Sequence, residues 1–462
     1  MSNEYTFVET QSLCPICLKK LDAFIITEGE NSYLSKNCTE HGTFSSVLWR
    51  GKMPMADWIQ PKERAQIENP VTKVNLGCPY DCGLCEEHRQ HTCTALIEVT
   101  QNCNLACRFC FADSSKSMEV EHSKEVEHSK EMEHSIEKEP SLEEIRFQYQ
   151  SILRVSGICN IQLSGGEPTI RDDLPEIIKM GADMGFSFIQ VNTNGIRMAD
   201  DEDFVIALKE AGLYSIFLQF DGTSDEVYKT LRGKALFDKK VKAIEHCKKH
   251  DIAVVLVPTL VPFVNIDQIG EIIQFGIEHA PTVRGVHFQP VSYFGRMPKA
   301  PQDIDRITLP EIMDEISKQT QGLIQMESLK PPGCENSLCS FHGNYIIEEQ
   351  GLKQVSKRSS CCCGTQKAEE GATKAKAYVA RTWSNTSCNE ENEAETSDWD
   401  KIIKNIKRNS FSISAMAFQD AWNVNLERIK DCCIHVVTKD GRLIPFCMYN
   451  ITSAEGKSLY RF

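Results

Sequence analysis

The chain has 462 residues, of which 41% are hydrophobic and 25% are charged, values typical of soluble globular proteins with room for about two to four structural units. Lys and Arg number 51 against 65 Asp and Glu, so the net charge is −14 and general binding to nucleic-acid phosphates is not expected. No apolar run reaches the ~18 residues of a membrane span. The N-terminus lacks the basic-then-apolar order of a signal peptide, so we expect a cytoplasmic protein.

The 21 cysteines are the unusual feature of the composition. In a long chain with no secretion signal, they are interpreted first as metal ligands or redox groups. The first unit, residues 1–70, carries the segments CPIC and CTEHG, which contain Cys14, Cys17, Cys38 and His41. This spacing predicts a zinc-ribbon or rubredoxin-like unit with one zinc or iron ion in a structural role.

A cysteine-rich loop follows at residues 71–93. The segment GCPYDCGLCEEHRQHTC contains Cys78, Cys82, Cys85 and Cys93, which are enough ligands to close a complete 4Fe–4S cluster. His88 and His91 lie inside the same loop and are alternative ligands.

Six β-rich runs then alternate with helical patterns. The β-rich runs are TALIEVT (94–100), CNIQLSG (159–165), FSFIQVNTNG (186–195), YSIFLQFDG (214–222), IAVVLVPTLV (252–261) and VRGVHFQP (283–290). The helical patterns are 142–155, 172–184, 201–211, 237–250 and 266–278, the first with a capping box formed by Ser141 and Glu144. This alternation predicts an α/β fold with a parallel sheet buried on both faces, open or closed into a partial barrel over residues 94–300. Reactive groups are expected at the C-terminal ends of its strands.

A charged insertion at residues 114–140 interrupts the alternation. Its core repeats EVEHSK, EVEHSK and EMEHSI, with His122, His128 and His134. Six residues advance about 600° around a helix, so consecutive histidines fall on different faces. We therefore interpret the repeat as a solvated insertion and not as a metal site.

The strongest motif, EVTQNCNLACRFCFA, follows the first β-rich run. Cys103, Cys107 and Cys110 can hold three corners of a 4Fe–4S cluster and leave the fourth iron open to a small molecule. A four-ligand cluster or a zinc site with a distant cysteine is the alternative. The next β-rich run ends in SGGEPTI, where Gly165 and Gly166 allow close approach of a ligand and Glu167 can bind its ammonium group. Alternatively, Glu167 caps the following helix.

With CNLACRFC and SGGEP in this order, the chain resembles the radical SAM superfamily. The resemblance implies a partial (βα)6 barrel in which the cluster and its open iron bind S-adenosylmethionine. Reductive cleavage of that cofactor yields a 5′-deoxyadenosyl radical that abstracts hydrogen from an unactivated carbon. Cys103, Cys107 and Cys110 would ligate the cluster, and the cofactor would contact Phe109, Gly165, Gly166 and Glu167. Weaker candidates for cofactor contacts are the strand-end residues Asn192, Asn194, Gln219 and Asp221, for which ordinary strand-end hydrogen bonding is the alternative.

The loop at 71–93 repeats the same C-x-x-x-C-x-x-C spacing, so the two motifs must be told apart. Only Cys103, Cys107 and Cys110 follow a strand directly and have an aromatic residue before the last cysteine. The earlier loop also has its own fourth cysteine, and we predict that it holds an auxiliary cluster.

Most of the chain is more closely similar to the tetraether lipid synthase-like and pterin-precursor methyltransferase-like subgroup. The matching segments include FQPVSYFGR (288–296) and DCCIHVV…GRLIPFCMYN (431–450). The resemblance implies a second auxiliary cluster in the cysteine-rich extension, residues 301–462. Its best candidate ligands are Cys334, Cys339, Cys433 and Cys447, with Cys432 as the substitute for Cys433. The reaction implied is carbon–carbon coupling of lipid chains or methylation of a small molecule.

The SFHGNY and CCCGTQ segments depart from the lipid enzyme and resemble an uncharacterised branch of radical SAM (seleno)proteins. Cys361 to Cys363 are interpreted as a reactive thiol, a metal site, the position of a selenocysteine in relatives, or a structural cluster. An electron donor such as ferredoxin or flavodoxin is expected. The competing hypotheses are a SAM-independent iron–sulfur electron-transfer protein and a zinc-ribbon scaffold or nucleic-acid module.

Overall fold

The fold is that of a computed structural model, which describes residues 5–67, 70–114, 139–349, 351–355, 367–383, 406 and 408–461. The charged repeat at 119–136, Cys361 to Cys363 and Cys388 lie outside the described residues. No helix within the described ranges combines the length and the apolar character needed to cross a membrane.

An antiparallel sheet of four strands forms the N-terminal unit. Its strands, in spatial order, are β1 (Tyr5–Leu13), β2 (Lys20–Glu28), β3 (Asn31–Cys38) and β4 (Gly42–Trp49). Cys14 and Cys17 lie in the turn between β1 and β2, while Cys38 and His41 lie at the turn between β3 and β4. The two turns therefore bring the predicted ligands to the same end of the sheet.

The second sheet is mainly parallel and contains the remaining strands. They are β5 (Thr94–Thr100), β6 (Asn160–Gly165), β7 (Ile189–Thr193), β8 (Ser215–Gln219), β9 (Ala253–Val257), β10 (Thr259–Leu260), β11 (Val283–Pro290), β12 (Ser340–Glu348), β13 (Gly351–Gln354), β14 (Ser410–Met416), β15 (Ile434–Val437) and β16 (Leu443–Pro445). Their spatial order is β13-β12-β14-β11-β9-β8-β7-β6-β5-β15-β16, with β10 beside β11. The six predicted βα strands are thus adjacent and parallel.

Helices connect the strands and cover the sheet. They are α1 (Met55–Trp58), α2 (Leu142–Ser156), α3 (Leu174–Asp183), α4 (Ile196–Asp200), α5 (Glu202–Glu210), α6 (Asp225–Arg232), α7 (Phe237–Lys249), α8 (Ile269–Glu278), α9 (Leu309–Gln319), α10 (Ala368–Trp383), α11 (Leu426–Lys430) and α12 (Phe446–Asn450). The capping box predicted for Ser141 and Glu144 is present at the start of α2. Apolar strand and helix faces form one continuous core, as expected for a parallel sheet buried on both sides.

The cysteine-rich extension adds a parallel strand to each side of the six. β14 pairs with β11, and β15 pairs with β5. Gly285 permits the first of these pairings, because a Cβ there would lie 2.2 Å from the carbonyl oxygen of Ser412. The partial barrel is therefore confirmed, and residues far along the chain extend both of its edges.

Candidate active site and metal centres

A cavity of about 860 Å³ lies at the C-terminal ends of the barrel strands. Residues predicted to hold the cluster and the cofactor line it: Cys103, Cys107, Cys110, Phe109, Gly165, Gly166, Glu167, Asn192, Asn194 and Gln219. Of the predicted cofactor-binding residues, Asp221 is the exception. The volume lies within the range of pockets that bind small molecules.

The loop carrying Cys103, Cys107 and Cys110 is clamped by residues that follow β11. Cys110 and Arg296 exchange backbone hydrogen bonds of 3.1 and 3.0 Å, and the Arg296 Nε donates to the Cys107 carbonyl at 2.9 Å. Gly295 has φ +48°, and a Cβ there would lie 2.6 Å from the Cys110 carbonyl oxygen. The FGR segment thus holds the cysteine loop against the barrel.

Burial shapes the chemistry of these thiols. It raises the pKa of Cys103 to about 12 and also raises the pKa of Cys110. A thiolate at such a site requires compensating positive charge. Iron supplies that charge in a cluster ligated by cysteine, so the three residues fit a 4Fe–4S group.

The glycines of the GGE segment pack directly on the chain that leads into the cysteine loop. Gly165 has φ +124°, and a Cβ there would lie 2.1 Å from the Thr100 carbonyl oxygen. At Gly166 a Cβ would lie 2.0 Å from the Asn102 carbonyl oxygen. The Gly166 N–H donates to Thr100 at 2.8 Å, and the Glu167 N–H donates to Asn102 at 2.9 Å. The two segments therefore form one backbone-bonded cradle.

The Glu167 carboxylate is buried and bonded within the protein. Oε1 accepts from the Thr169 and Thr193 hydroxyls, each at 2.6 Å, and Oε2 accepts from the Asn194 N–H at 2.6 Å. The Thr169 N–H also donates to Oε1 at 3.2 Å, which caps the short 3₁₀ turn Pro168–Ile170. Burial raises the pKa of Glu167. The structure thus shows the capping role, while ammonium binding by this side chain stays a prediction.

Two strand-end amides present unsatisfied acceptors. Asn192 Oδ1 and Gln219 Oε1 are buried and have no hydrogen-bond partner among the described residues, and both residues line the cavity. A buried acceptor without a partner costs about 1–3 kcal/mol. A ligand that carries hydroxyl or amine donors, as the cofactor does, fits this wall.

Asn194 and Asp221 have partners within the protein. The Asn194 amide donates to Asn104 Oδ1 at 2.7 Å and accepts from the Ile196 N–H at 3.0 Å. Asp221 is fully buried and receives two hydrogen bonds, of 2.7 and 2.6 Å, from Arg232. For these two residues the structure shows ordinary strand-end bonding.

Arg232 is a cavity-lining residue that the sequence analysis missed. Its guanidinium pairs with Asp221, donates to Thr259 Oγ1 at 3.1 Å and contacts the Cys107 thiol. It ends α6, a helix that the sequence analysis did not predict. The sequence signal that could have revealed this helix is the Arg–Gly pair at its end, because glycine commonly ends a helix. Arg232 places a positive charge beside the cysteine loop.

A second group of cysteines lies on the wall of the same cavity. The thiols of Cys93, Cys334 and Cys433 all lie within 4.8 Å of one another, with 2.9 Å between Cys93 and Cys334. Cys93 was predicted to complete the loop at 71–93, so this grouping differs from the prediction. The cause is sheet register: Cys93 directly precedes β5, Cys433 directly precedes β15, and the Cys93 N–H donates to the Cys433 carbonyl at 2.8 Å.

The other cysteines of the predicted second auxiliary cluster lie in a different group. Cys339 and Cys447 are close enough to Cys432 that their charges, after burial, raise the pKa of its thiol. Arg428 contacts the Cys339 sulfur at 3.5 Å. Cys432 and Cys433 are adjacent in the chain but therefore belong to different groups. The four ligands predicted for the second auxiliary cluster are divided between these two groups.

Cys78, Cys82 and Cys85 line a separate small cavity together with His88. Burial lowers the pKa of His88 to about 4, which keeps the imidazole in the neutral form that can bind a metal. Its Nε2 lies 2.8 Å from the Cys432 carbonyl oxygen and 3.2 Å from His435 Nε2.

The N-terminal group contains all four predicted ligands. Ligand atoms of Cys14, Cys17, Cys38 and His41 lie within 4.8 Å of one another. Thiolates bound at about 2.3 Å to one tetrahedral zinc ion lie about 3.8 Å apart, so this group fits a single ion. Neither Cys78, Cys82 and Cys85 nor Cys103, Cys107 and Cys110 forms so tight a set among the described residues, as expected for ligands that surround a larger cluster.

Comparison with known proteins agrees with these features. The radical SAM superfamily matches residues 97–276, and the HMPTM N-terminal zinc ribbon domain matches residues 7–50. The chain is 35% identical to 7,8-dihydro-6-hydroxymethylpterin dimethyltransferase of Methanocaldococcus jannaschii, over 96% of this chain and 93% of the relative. These matches confirm the predicted zinc ribbon and favour a radical SAM enzyme over an electron-transfer protein or a scaffold.

Two further matches cover less of the chain. The probable GTP 3′,8-cyclase of Methanothermobacter marburgensis is 31% identical over 35% of this chain and 45% of its own length. The crystal structure of Streptococcus suis SuiB aligns with a TM-score of 0.38 and 13% identity, over 51% of this chain and 46% of SuiB. Because the superfamily matches residues 97–276 and the pterin dimethyltransferase matches over nearly all of both chains, the chain belongs to the radical SAM superfamily. Members of this superfamily are enzymes that hold a 4Fe–4S cluster and S-adenosylmethionine.

Proposed function

We propose that this enzyme methylates a small reduced heterocycle of the pterin type. The observation that carries the proposal is the resemblance to a hydroxymethylpterin dimethyltransferase over nearly the full length of both chains. The form of the cavity supports it. Glu335, His342 and Lys330 are among the residues that line the cavity, and they offer hydrogen-bonding groups to a polar heterocycle.

Cys103, Cys107 and Cys110 are proposed to ligate the radical SAM cluster. The cluster that they would hold, once reduced, would supply one electron to S-adenosylmethionine, whose cleavage would give methionine and the 5′-deoxyadenosyl radical. Gly165, Gly166 and Glu167 are proposed to hold the methionyl end through the backbone of the cradle, with Phe109 beside the adenine. Asn192 and Gln219 are proposed to accept hydrogen bonds from the cofactor.

The other cysteine groups are proposed to hold auxiliary metal centres. The first centre would be bound by Cys78, Cys82 and Cys85, with His88 as a candidate fourth ligand. The second would be bound by Cys93, Cys334 and Cys433. A third would be bound by Cys339, Cys432 and Cys447. An electron donor of the ferredoxin or flavodoxin type is proposed to reduce the radical SAM cluster. A cytoplasmic location is proposed because thiols stay reduced there.

The test uses anaerobically reconstituted full-length protein. It is incubated with S-adenosylmethionine, dithionite, 7,8-dihydro-6-hydroxymethylpterin and a deproteinised cell extract as the source of other co-reactants. Mass spectrometry should detect a pterin heavier by one or two methylene units. The matched control is the Cys103→Ala, Cys107→Ala, Cys110→Ala variant, which should yield none. Formation of 5′-deoxyadenosine with no change in the pterin would retain the radical chemistry and overturn the proposed substrate.

A further inference from the structure

Glu335 lines the cavity beside the second cysteine group, Cys93, Cys334 and Cys433. We propose that its carboxylate is the fourth, exchangeable ligand of the metal centre held by Cys93, Cys334 and Cys433. The inference rests on the proposed function insofar as that function assigns a metal to these cysteines. It does not depend on the identity of the substrate.

The two oxygens of Glu335 have different surroundings. Oε2 lies 3.8 Å from the Cys433 sulfur, and Oε1 accepts a hydrogen bond of 2.6 Å from Ser340 Oγ. The residue lines the same cavity as the three cysteines. One oxygen is thus held by Ser340, while the other contacts the Cys433 thiol.

The three thiols provide an incomplete set of ligands. Zinc sites and 4Fe–4S clusters take four ligands from protein or substrate, and the group in the described part of the chain contains three cysteines. Cys339 and Cys447, the other predicted ligands, do not belong to this set of thiols. Carboxylate oxygen is an accepted ligand for both zinc and iron, and Glu335 is a carboxylate whose oxygen contacts one of the three thiols.

The backbone around Glu335 is anchored by the segment that joins the zinc ribbon to the barrel. Lys62 Nζ donates to the carbonyl of Pro332 at 2.6 Å and to that of Glu335. Gln90 Nε2 donates to the Cys334 carbonyl at 2.9 Å. These contacts fix the backbone of the segment that carries both a thiol and the carboxylate. The carboxylate does not lie within 4.8 Å of all three thiols, so its side chain must turn toward the metal to bind it.

Exchangeability follows from the ligand type and its position. A single carboxylate oxygen is a harder and weaker donor to iron or zinc than a thiolate, which makes it the ligand of the four most readily displaced. Glu335 also lines the cavity that holds the proposed radical site. A molecule with a nitrogen, oxygen or sulfur donor that enters the cavity would therefore compete with Glu335 for the metal.

The experiment compares four proteins, all full-length and reconstituted anaerobically: wild type, Glu335→Ala, Cys433→Ala and Glu327→Gln. Glu327→Gln is the matched control, since this exposed glutamate lies in the same region of the chain. Metal and acid-labile sulfide content, electron paramagnetic resonance after reduction, and the rate of metal release to a chelator are measured. Formation of 5′-deoxyadenosine reports whether each variant retains its fold and its radical site.

Cys433→Ala should lose the centre. Glu335→Ala should release metal from it at least about tenfold faster than wild type, because even outer-shell changes weaken metal sites by 10–100-fold. If the centre is a cluster, Glu335→Ala should also give the resonance of a 3Fe–4S form after mild oxidation. If it is a single ion, sulfide content should be the same in wild type and Cys433→Ala. Imidazole, added as an external ligand, should slow the release in Glu335→Ala and have less effect on wild type.

Wild-type release rates and spectra in Glu335→Ala would overturn the assignment, as would an unchanged metal content in Cys433→Ala. A failure of the pterin to react leaves these measurements unaffected, so the two proposals fail separately. Should Glu335→Ala fail to fold, Glu335→Gln keeps the shape and the Ser340 contact while removing the charge. It should still release metal faster than Glu327→Gln, and equal rates would refute the proposal.

Discussion

The contact between the GGE turn and the cysteine loop can be tested by adding one methyl group at Gly166. A Cβ at this position would lie 2.0 Å from the Asn102 carbonyl oxygen and 3.0 Å from that of Gln101. An ordinary contact requires ~3.5 Å, so the turn and the loop must separate by roughly 1.5 Å. Both obstructing atoms belong to the backbone, which cannot rotate away as a side chain could.

Gly166→Ala should therefore act on both stability and catalysis. Overpacking costs about 1–3 kcal/mol, and the upper part of that range is expected because the backbone itself must shift. A misplacement of about 1 Å at a reacting centre lowers the rate about 100-fold. The rate of 5′-deoxyadenosine formation should fall by at least this factor, while the iron content stays unchanged because the three cysteines remain.

Urea unfolding and the anaerobic cleavage assay on the same preparation measure the two effects. Gly29→Ala is the control: it has φ +63° with nothing within 4 Å of the added Cβ. Backbone strain alone there should cost about 1–2 kcal/mol and leave cleavage unchanged. Wild-type cleavage by Gly166→Ala would refute the inference that the turn and the loop act as one cradle.

Three further predictions concern a buried histidine, a buried ion pair and the zinc ribbon. His287 is buried with its pKa lowered to about 4, so between about pH 6.5 and pH 4 the unfolded chain binds more protons than the folded protein does. Through this histidine, the free energy of unfolding falls by about 3 kcal/mol as the pH drops from 6.5 to 4, and it is unaffected above pH 6.5. Urea unfolding at pH 7 and pH 4 should show a loss that is smaller by this amount in His287→Gln. Arg232→Gln leaves the fully buried Asp221 without its charged partner and should destabilise the fold by about 3–5 kcal/mol, measured by thermal unfolding against Lys229→Gln on the exposed side of the same helix. Cys38→Ala should remove one zinc or iron ion per chain without loss of acid-labile sulfide, and retention of that ion would contradict the N-terminal site.

Local patterns predicted much of this fold because the signals lie close together in the chain. The six βα strands and the helices between them have clear periodicity, and the cap at Ser141 depends on residues only three positions apart. β14 and β15 were not predicted, since they lie in a cysteine-rich region that lacks the regular alternation of strand and helix patterns seen in the barrel. They join the barrel only through pairing with β11 and β5.

In the candidate site, too, contacts between nearby segments were predicted, and contacts between distant segments were not. The segments CNLACRFC and SGGEP lie just after their strands, and the parallel sheet brings them together as predicted. Cys93 was assigned by its spacing from Cys85, whereas register with Cys433 decides where its thiol lies. Such register depends on residues more than three hundred positions apart, which no local spacing reports. Glu335 was not predicted as a ligand because its contact with Cys433 also joins distant segments of the chain.

The most direct test of the radical chemistry compares two triple variants in one assay. Wild type, Cys103→Ala/Cys107→Ala/Cys110→Ala and Cys78→Ala/Cys82→Ala/Cys85→Ala are reconstituted anaerobically and incubated with dithionite and S-adenosylmethionine. We expect 5′-deoxyadenosine from wild type, none from the first variant, and a reduced but measurable amount from the second, with each variant losing a different cluster. Cleavage that survives in the first variant and vanishes only in the second would contradict the assignment of the radical site to Cys103, Cys107 and Cys110.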